Sequence, residues 1–402
     1  MKNIKTSAVF RITLMAVTVL LIMPLERASA VPAFARKYQI SCQVCHSPAM
    51  PRLKAFGDEF AGDGFRMTDY ESPRHFIQTG DDRLSLFREV PLALRFDGHV
   101  TYNFNGDGDA DFAAPFVVKL VSGGEISDRL SYYFYFYMHE HGEIVGLEDA
   151  FIMYKDLFRT GINVYLGQFA VSDPMFKGEL RYTLENYKIY STAPGESSID
   201  LKYDKGLLLD KGFETGTSVV FEVLNGAGIG EADRWYVFDK DKYKNMLLKV
   251  TQDIGEHASI GFFGYTGKEV LQNNISGFVN EVKMYGPDLV LDFNERLIIG
   301  LQYLWRTDSD IYLSPEEPMM ENIKTHGGFA EIIYSPKGDM STWYLTGLLN
   351  WVESDLDLLD YRSATLHAGY LIRRNVKLVT EYTRVFSGNS YGKLSAGFVS
   401  AF

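Results

Sequence analysis

Cysteine is nearly absent from the chain, since Cys42 and Cys45 are the only two in 402 residues. A structural zinc site needs four ligands, and no second cysteine pair is present to complete one. The sequence also lacks a nucleophile elbow, a phosphate-cradling glycine loop and a metalloprotease helix. Hydrolytic chemistry therefore has no recognisable motif here.

Positive charge is also in deficit, because 40 Lys and Arg face 52 Asp and Glu, for a formal net charge of −12. A nucleic-acid-binding protein needs a basic footprint, and this chain has none. An acidic surface attracts cations and repels anions, although charge alone does not select a ligand. Nucleic acid is therefore excluded as a partner.

Long apolar runs are missing except at the N-terminus, where residues 12–23 are almost continuously apolar. This run of about 12 residues is shorter than the roughly 20 that a spanning helix needs. Basic residues precede it and Ala-Ser-Ala follows at 28–30, which predicts a signal peptide over residues 1–30. An uncleaved membrane anchor is the alternative. Cleavage near Val31 removes four basic residues and one acidic residue, so the net charge of −12 becomes −15.

Aromatic residues and glycine are abundant, with 25 Tyr, 28 Phe and 36 Gly against only 13 Pro. From Leu92 onward the apolar residues alternate with polar ones, which is typical of strands with one apolar and one wet face. We count sixteen such segments, near 90–104, 113–123, 129–141, 146–156, 160–170, 203–210, 215–224, 244–254, 257–267, 279–293, 297–307, 325–335, 341–352, 362–374, 375–387 and 391–402. These segments predict a mainly β fold.

The connections between these segments indicate which β fold it is. Those after even-numbered strands are short, whereas several after odd-numbered strands are long, notably 171–202, 225–243 and 308–324. This asymmetry, together with a C-terminal Phe402 like the signal read by the barrel-assembly machinery, predicts a 16-stranded porin-like outer-membrane barrel over residues 86–402. A soluble sandwich or propeller is the alternative, but no repeat of propeller length is visible. The longest loop is expected either to fold into the lumen, by analogy with porins, or to remain a flexible outer loop.

The two cysteines belong to a Cys-x-x-Cys-His sequence that ends at His46 and is the attachment sequence of c-type haem. This spacing puts both sulfurs on one side of a turn, where they can form thioethers to the haem vinyl groups, and places His46 under the iron as an axial ligand. A disulfide is the main alternative in an oxidising compartment. It would close a very small loop and leave His46 unexplained. A thioredoxin-like motif would need a βαβ unit, which is not seen.

The sixth ligand of the haem iron is less determined, with Met67, Met50 and His75 as candidates. Met67 is preferred because it follows a predicted helix and the turn at Gly62 and Gly64, which would bring the chain back over the haem. A methionine ligand raises the reduction potential and a second histidine lowers it. The alternative is that Met67 only packs against the porphyrin edge.

The segment from Val31 to Met67 resembles the N-terminus of fused monohaem cytochrome–porins, outer-membrane proteins implicated in iron(II) oxidation. The matching residues are Pro32, Phe34, Ala35, Arg36, Cys42, Cys45, His46, Leu53, Phe56, Gly57, Phe60, Gly64 and Phe65. The resemblance implies a small α-helical monohaem cytochrome c module with its linker over residues 31–85, followed by the barrel.

A lone haem cannot bridge an apolar band about 25 Å tall if it hangs in the periplasm. The haem c module is therefore expected in the barrel lumen or at its periplasmic mouth. There it would pass electrons between an extracellular redox metal, with Fe²⁺ as the expected donor, and a periplasmic c-type cytochrome. The protein would then act as an iron(II):cytochrome c oxidoreductase surrounded by outer-membrane lipid. Electron flow to an external acceptor is one alternative, and a diffusion porin with a haem-bearing plug is another.

Overall fold

The computed structural model describes residues 33–67, 77, 80, 90–104, 110–272, 277–313, 320–388 and 390–402. The predicted signal peptide, His75 and most of the predicted linker lie outside these residues. None of the helices within the described ranges is long and apolar enough to cross a membrane.

Sixteen antiparallel strands form one closed barrel in which each strand pairs with the next and β1 pairs with β16. The predicted barrel and its strand number are confirmed. The strands are β1 Leu92–Asn103, β2 Ala110–Ser127, β3 Leu130–Glu140, β4 Gly146–Leu157, β5 Ile162–Ala170, β6 Tyr203–Gly212, β7 Thr217–Leu224, β8 Asn245–Ile254, β9 Ala258–Gln272, β10 Gly277–Phe293, β11 Leu297–Ile311, β12 Met320–Tyr334, β13 Trp343–Ser354, β14 Tyr361–Arg373, β15 Val376–Val385 and β16 Tyr391–Ala401.

Alternation along each strand separates a lumen face from an outer face. On β13, Tyr344 and Leu348 are fully buried in the lumen, whereas Leu345 and Leu349 on the other face are 38% and 53% exposed. Trp343 at one end of this strand stands on the same outer face, where an aromatic belt is expected at a membrane–water interface. The outer wall is therefore the apolar surface that a bilayer requires.

The strands β9 to β12 are longer than their alternation predicts. The hairpin of β9 and β10 was expected to end at 267 and begin again at 279, but pairing continues to Gln272 and Gly277. Above the apolar band a strand no longer needs an apolar outer face, so Lys268 and Glu281 can pair there across the hairpin. Because this end of the hairpin is polar, the alternation of apolar and polar residues does not show that the strands continue.

The connections divide as predicted, with short turns at one end of the barrel and longer loops at the other. The longest connection, residues 171–202, is called L3 here and folds into the lumen rather than outward. It contains two 3₁₀ helices, Gly178–Leu180 and Lys188–Ser191. The Tyr187 ring of L3 stacks on Phe329 of β12 with ring centroids 4.1 Å apart.

Residues 33–67, called the headpiece here, form helix α1 Ala33–Tyr38, a 3₁₀ helix Cys42–Val44 and helix α2 Ala55–Gly62. Tyr38, Phe60 and Phe65 form a small core of their own, against which Phe34 and Met67 pack. The headpiece contacts barrel residues at the short-turn end, such as Asp339 between β12 and β13. The chain enters β1 at the same end.

Candidate haem site

The cysteines and His46 lie on one helical turn, as their spacing predicts. Ser41 caps the turn by accepting a hydrogen bond from the Gln43 amide at 3.4 Å. The amides of Cys45 and His46 then donate to the Cys42 carbonyl oxygen at 3.3 and 2.9 Å. Both thiols are free and half-buried on this turn. Burial raises the pKa of both thiols.

A hydrogen bond at Nδ1 orients the imidazole of His46. Nδ1 lies 3.0 Å from the carbonyl oxygen of Arg52, and an antiparallel bridge joins His46 to Leu53. Burial lowers the pKa of His46, against the carbonyls of Arg52 and Pro51, which favour the charged form. Since a carbonyl only accepts, the neutral ring that makes this bond carries its proton on Nδ1 and its lone pair on Nε2. Metal-ligating histidines are oriented in the same way.

Gly57 of helix α2 backs the cysteine turn. A Cβ atom at this position would clash with the Cys45 carbonyl oxygen, so only glycine permits this approach. The Lys54 amide donates to the same carbonyl at 3.0 Å. The turn is thus fixed to the start of helix α2 by its own backbone, and Gly57 is among the residues that carry the family resemblance.

The segment that follows His46 is bound by the barrel and by L3 together. The hydroxyl of Tyr182 in L3 lies 3.0 Å from the Ser47 carbonyl oxygen and 2.8 Å from that of Ala49. On the barrel side, the Lys377 ammonium of β15 donates to the Met50 carbonyl at 2.9 Å. The backbone of Met50, directly before Pro51, is thus hydrogen-bonded to the barrel wall.

A buried ion pair joins the headpiece to a second part of the wall, three strands away from β15. The Arg52 guanidinium lies 3.3 Å from a carboxylate oxygen of Glu331 on β12, and Glu331 is only 1% exposed. The other carboxylate oxygen accepts a hydrogen bond from the Tyr187 hydroxyl of L3 at 3.0 Å. Arg52, whose carbonyl holds His46, is therefore itself held by the barrel and the loop.

The far end of the headpiece meets the barrel through aromatic rings. Phe65 stacks on Tyr133 of β3 with centroids 4.7 Å apart, and on Phe34 from the other side at 5.5 Å. Gly64 has a φ of +77° and approaches the Ser131 hydroxyl so closely that a side chain would not fit. Met67 packs in this aromatic cluster, and its role as sixth iron ligand stays a prediction.

A cavity of about 360 Å³ remains in the lumen beside the headpiece. Its lining includes Pro51 of the headpiece, Arg181 of L3 and Lys377 of β15, and it extends to His141 in the connection that follows β3. Sixteen strands predict a water-filled lumen, but the headpiece and L3 both enter this one. Among the described residues, no three His, Cys, Asp or Glu side chains stand together as a metal site.

The candidate haem site and its surroundings were only partly predictable from the sequence. Cys42, Cys45 and His46 are brought together on one turn. Arg52, Tyr182 and Glu331 belong to no sequence motif. In the sequence, the carboxylate of Glu331 cannot be distinguished from other polar residues at lumen positions of a strand. No spacing in the sequence signals that Arg52 meets Glu331, or that Tyr182 reaches the segment after His46.

The barrel resembles solved outer-membrane porins. An anion-selective porin from Comamonas acidovorans is 13% identical, with a TM-score of 0.56 over 78% of this chain and 99% of that chain. The outer-membrane channel DcaP of Acinetobacter baumannii is 12% identical, with a TM-score of 0.56 over 78% and 97%. OmpT of Vibrio cholerae is 11% identical, with a TM-score of 0.54 over 78% and 99%.

At this level of identity the likeness shows the fold alone. The chain is a closed, 16-stranded barrel of the outer-membrane porin type. No protein-family model matches it, and no curated protein sequence matches it either.

Proposed function

We propose that the protein is an outer-membrane electron conduit with one c-type haem, joined to Cys42 and Cys45 and ligated by His46. It would take one electron from extracellular Fe²⁺, which becomes Fe³⁺, and deliver that electron to an oxidised c-type cytochrome in the periplasm. A c-type haem attached at this turn supplies reversible one-electron chemistry. The protein itself returns to its starting state after each transfer.

The observation that carries this proposal is the donor set on the turn of residues 42–46. Two free thiols and an imidazole stand on one turn, and the Nδ1 contact with Arg52 leaves the Nε2 lone pair available to a metal. The polypeptide's part is to fix that turn. Gly57 backs it, Arg52 orients His46, and the Arg52–Glu331 pair anchors the assembly to the barrel.

The first experiment tests attachment and location together. A pyridine haemochrome spectrum of the outer-membrane fraction, with the intact mass of the mature chain, should show one covalently bound haem. The matched control is the double variant Cys42→Ala, Cys45→Ala, which should reach the same membrane fraction without the added mass. A wild-type chain that carries no macrocycle would reject the conduit.

The second experiment tests the direction of flow. Stopped-flow mixing with Fe²⁺ should shift the Soret band of the oxidised protein to that of the reduced form, and later addition of an oxidised c-type cytochrome should restore it. A strongly negative midpoint potential would instead support electron flow to an external acceptor. The potential decides between the two because a donor reduces only a partner of similar or higher potential.

A diffusion porin with a haem-bearing plug is the second candidate. The cavity of about 360 Å³ that runs from His141 to Pro51 favours it, since a conduit for electrons alone needs no such space. A Soret band that stays unchanged with Fe²⁺, combined with solute uptake in liposomes, would support the porin.

A further inference from the structure

The connection between β7 and β8, residues 225–244, displays four consecutive apolar or aromatic residues. Trp235 and Tyr236 are 70% and 88% exposed, and Val237 and Phe238 are each 47% exposed. Exposed apolar surface costs about 25 cal/mol per Å² relative to burial. A contiguous apolar patch on a protein surface usually marks a site that something else covers.

The exposure is built into the loop by a closed turn around Asp233. One carboxylate oxygen of Asp233 accepts hydrogen bonds from the amides of Trp235 at 2.7 Å and Val237 at 3.0 Å. The Asp233 amide donates in turn to the Val237 carbonyl at 2.9 Å. The aromatic side chains are therefore held outward by a defined backbone turn.

Contacts at both ends of the segment place it along the outside of the barrel wall. The Lys205 ammonium of β6 donates to the Gly230 carbonyl at 3.3 Å and lies 4.4 Å from the Phe238 ring centroid. Lys205 faces outward because Leu208, three positions on, belongs to the lumen core. On the other side, Asp241 accepts from the amide of Val270, whose side chain is half-exposed on the outer face of β9.

The barrel strands next to this loop are short, so the loop begins near the apolar band. Strands β6, β7 and β8 have 10, 8 and 10 residues, whereas β9 and β10 have 15 and 17. Just below the loop, Met246 and Leu248 on β8 are 44% and 48% exposed on the outer wall. The loop that carries the aromatic segment therefore adjoins the surface that faces lipid.

We infer that residues Trp235 to Phe238 form a lipid anchor that inserts into the outer leaflet beside β6, β7 and β8. Tryptophan and tyrosine favour the boundary between headgroups and acyl chains, because their rings are apolar and their N–H and O–H groups stay hydrated. Arg234, whose guanidinium lies 5.0 Å from the Trp235 ring centroid, supplies positive charge at headgroup depth. The inference rests on the membrane location in the proposed function and is independent of the haem.

Tryptophan fluorescence of the full chain tests this anchor directly, because the chain has 4 Trp and three can be replaced. The variant Trp305→Phe, Trp343→Phe, Trp351→Phe keeps Trp235 as its sole tryptophan and is reconstituted in phosphatidylcholine vesicles. Bromine atoms are placed on the lipid either near the headgroup end or near the end of the acyl chain. Energy transfer to haem affects both samples equally, so the ratio of quenched to unquenched emission reports depth.

We expect blue-shifted emission that shallow bromines quench strongly and that aqueous iodide barely affects. The matched control moves the tryptophan to another exposed loop position by adding Trp235→Phe and Leu358→Trp, and it should show the opposite pattern. If iodide quenches the emission of Trp235 as strongly as the emission of the control variant, the proposed anchor is wrong. Protection that disappears on dilution into excess lipid would also overturn it, because that result means a second copy of the chain covers the segment.

Discussion

At one end the headpiece meets the barrel through hydrogen bonds and a buried ion pair, and at the other end through stacked rings flanked by two partly exposed ion pairs, Asp63 with Lys155 and Arg66 with Glu125. The polar end carries the cysteine turn and involves Arg52, Glu331 and Tyr182. The aromatic end centres on Phe65 and Tyr133. Hydrogen bonds have defined directions, whereas apolar burial is non-directional and proportional to area. The polar end therefore sets the orientation of His46, and the aromatic end mainly adds binding energy.

The largest expected effect is at the polar end, in the cysteine turn itself. Cys45→Ala should remove one thioether and His46→Ala the axial ligand, so the Soret band of the purified protein should lose intensity and shift. The barrel should still show heat-modifiable migration on gels, because its strands pair without these residues. Normal spectra in both variants would show that the turn is not the attachment site.

Breaking the buried pair is the next largest effect. Arg52→Met should lower the free energy of unfolding by about 3–5 kcal/mol, because Glu331 is left as an uncompensated buried charge. Urea unfolding in liposomes measures it. The control is Arg52→Met with Glu331→Gln, which should recover most of the loss. Equal losses in the single and double variants would mean that packing, and not charge, holds this end.

The aromatic end is expected to respond less. Phe65→Leu keeps an apolar side chain but removes two stacked contacts, so we expect a loss of about 1 kcal/mol in the same unfolding assay. The haem spectrum should not change, since the cysteine turn is anchored elsewhere. A spectral change in Phe65→Leu would weaken the comparison and would support Met67, which packs in the same cluster, as the sixth iron ligand.

The Tyr182 hydroxyl contributes to the orientation of the segment after His46, and its removal should have a smaller effect than loss of the buried pair. Tyr182→Phe removes the group that lies between the Ser47 and Ala49 carbonyls and should cost about 1 kcal/mol. Because that hydroxyl holds the segment directly after His46, the midpoint potential should also shift, unlike in Phe65→Leu. An unchanged potential would mean that the barrel contacts alone fix the segment.

The last prediction concerns the pH dependence of stability and a carboxyl group of L3. Loss of solvation raises the pKa of Asp173 to about 7, with Lys177 opposing the rise and Asp149 adding to it. A raised carboxyl pKa means that the folded state binds the proton more tightly than the unfolded chain. The contribution of Asp173 to the free energy of unfolding should thus be greatest below about pH 4 and should be lost as the pH rises through 7. In Asp173→Asn, a pH titration of unfolding should show a flatter profile, whereas an unchanged profile would reject this assignment.

The barrel was predictable because its constraint is local and repeated. A wall between lipid and lumen requires apolar and lumen-facing residues to alternate, so strands such as β13 can be recognised in the sequence. The ends of β9 and β10 could not be recognised, because outside the bilayer nothing requires this alternation. The turn of Cys42, Cys45 and His46 was equally readable, because residues this close in sequence are placed together by a single helical turn. The partners Glu331 and Tyr182 were not, since they come from elements far apart in sequence.

The cavity that extends from His141 to Pro51 would shorten the distance that an electron has to cross in the proposed conduit. A small donor that entered it from the loop end would stand beside the headpiece, inside the barrel. Such a donor would not have to pass its electron across the full apolar band of the bilayer.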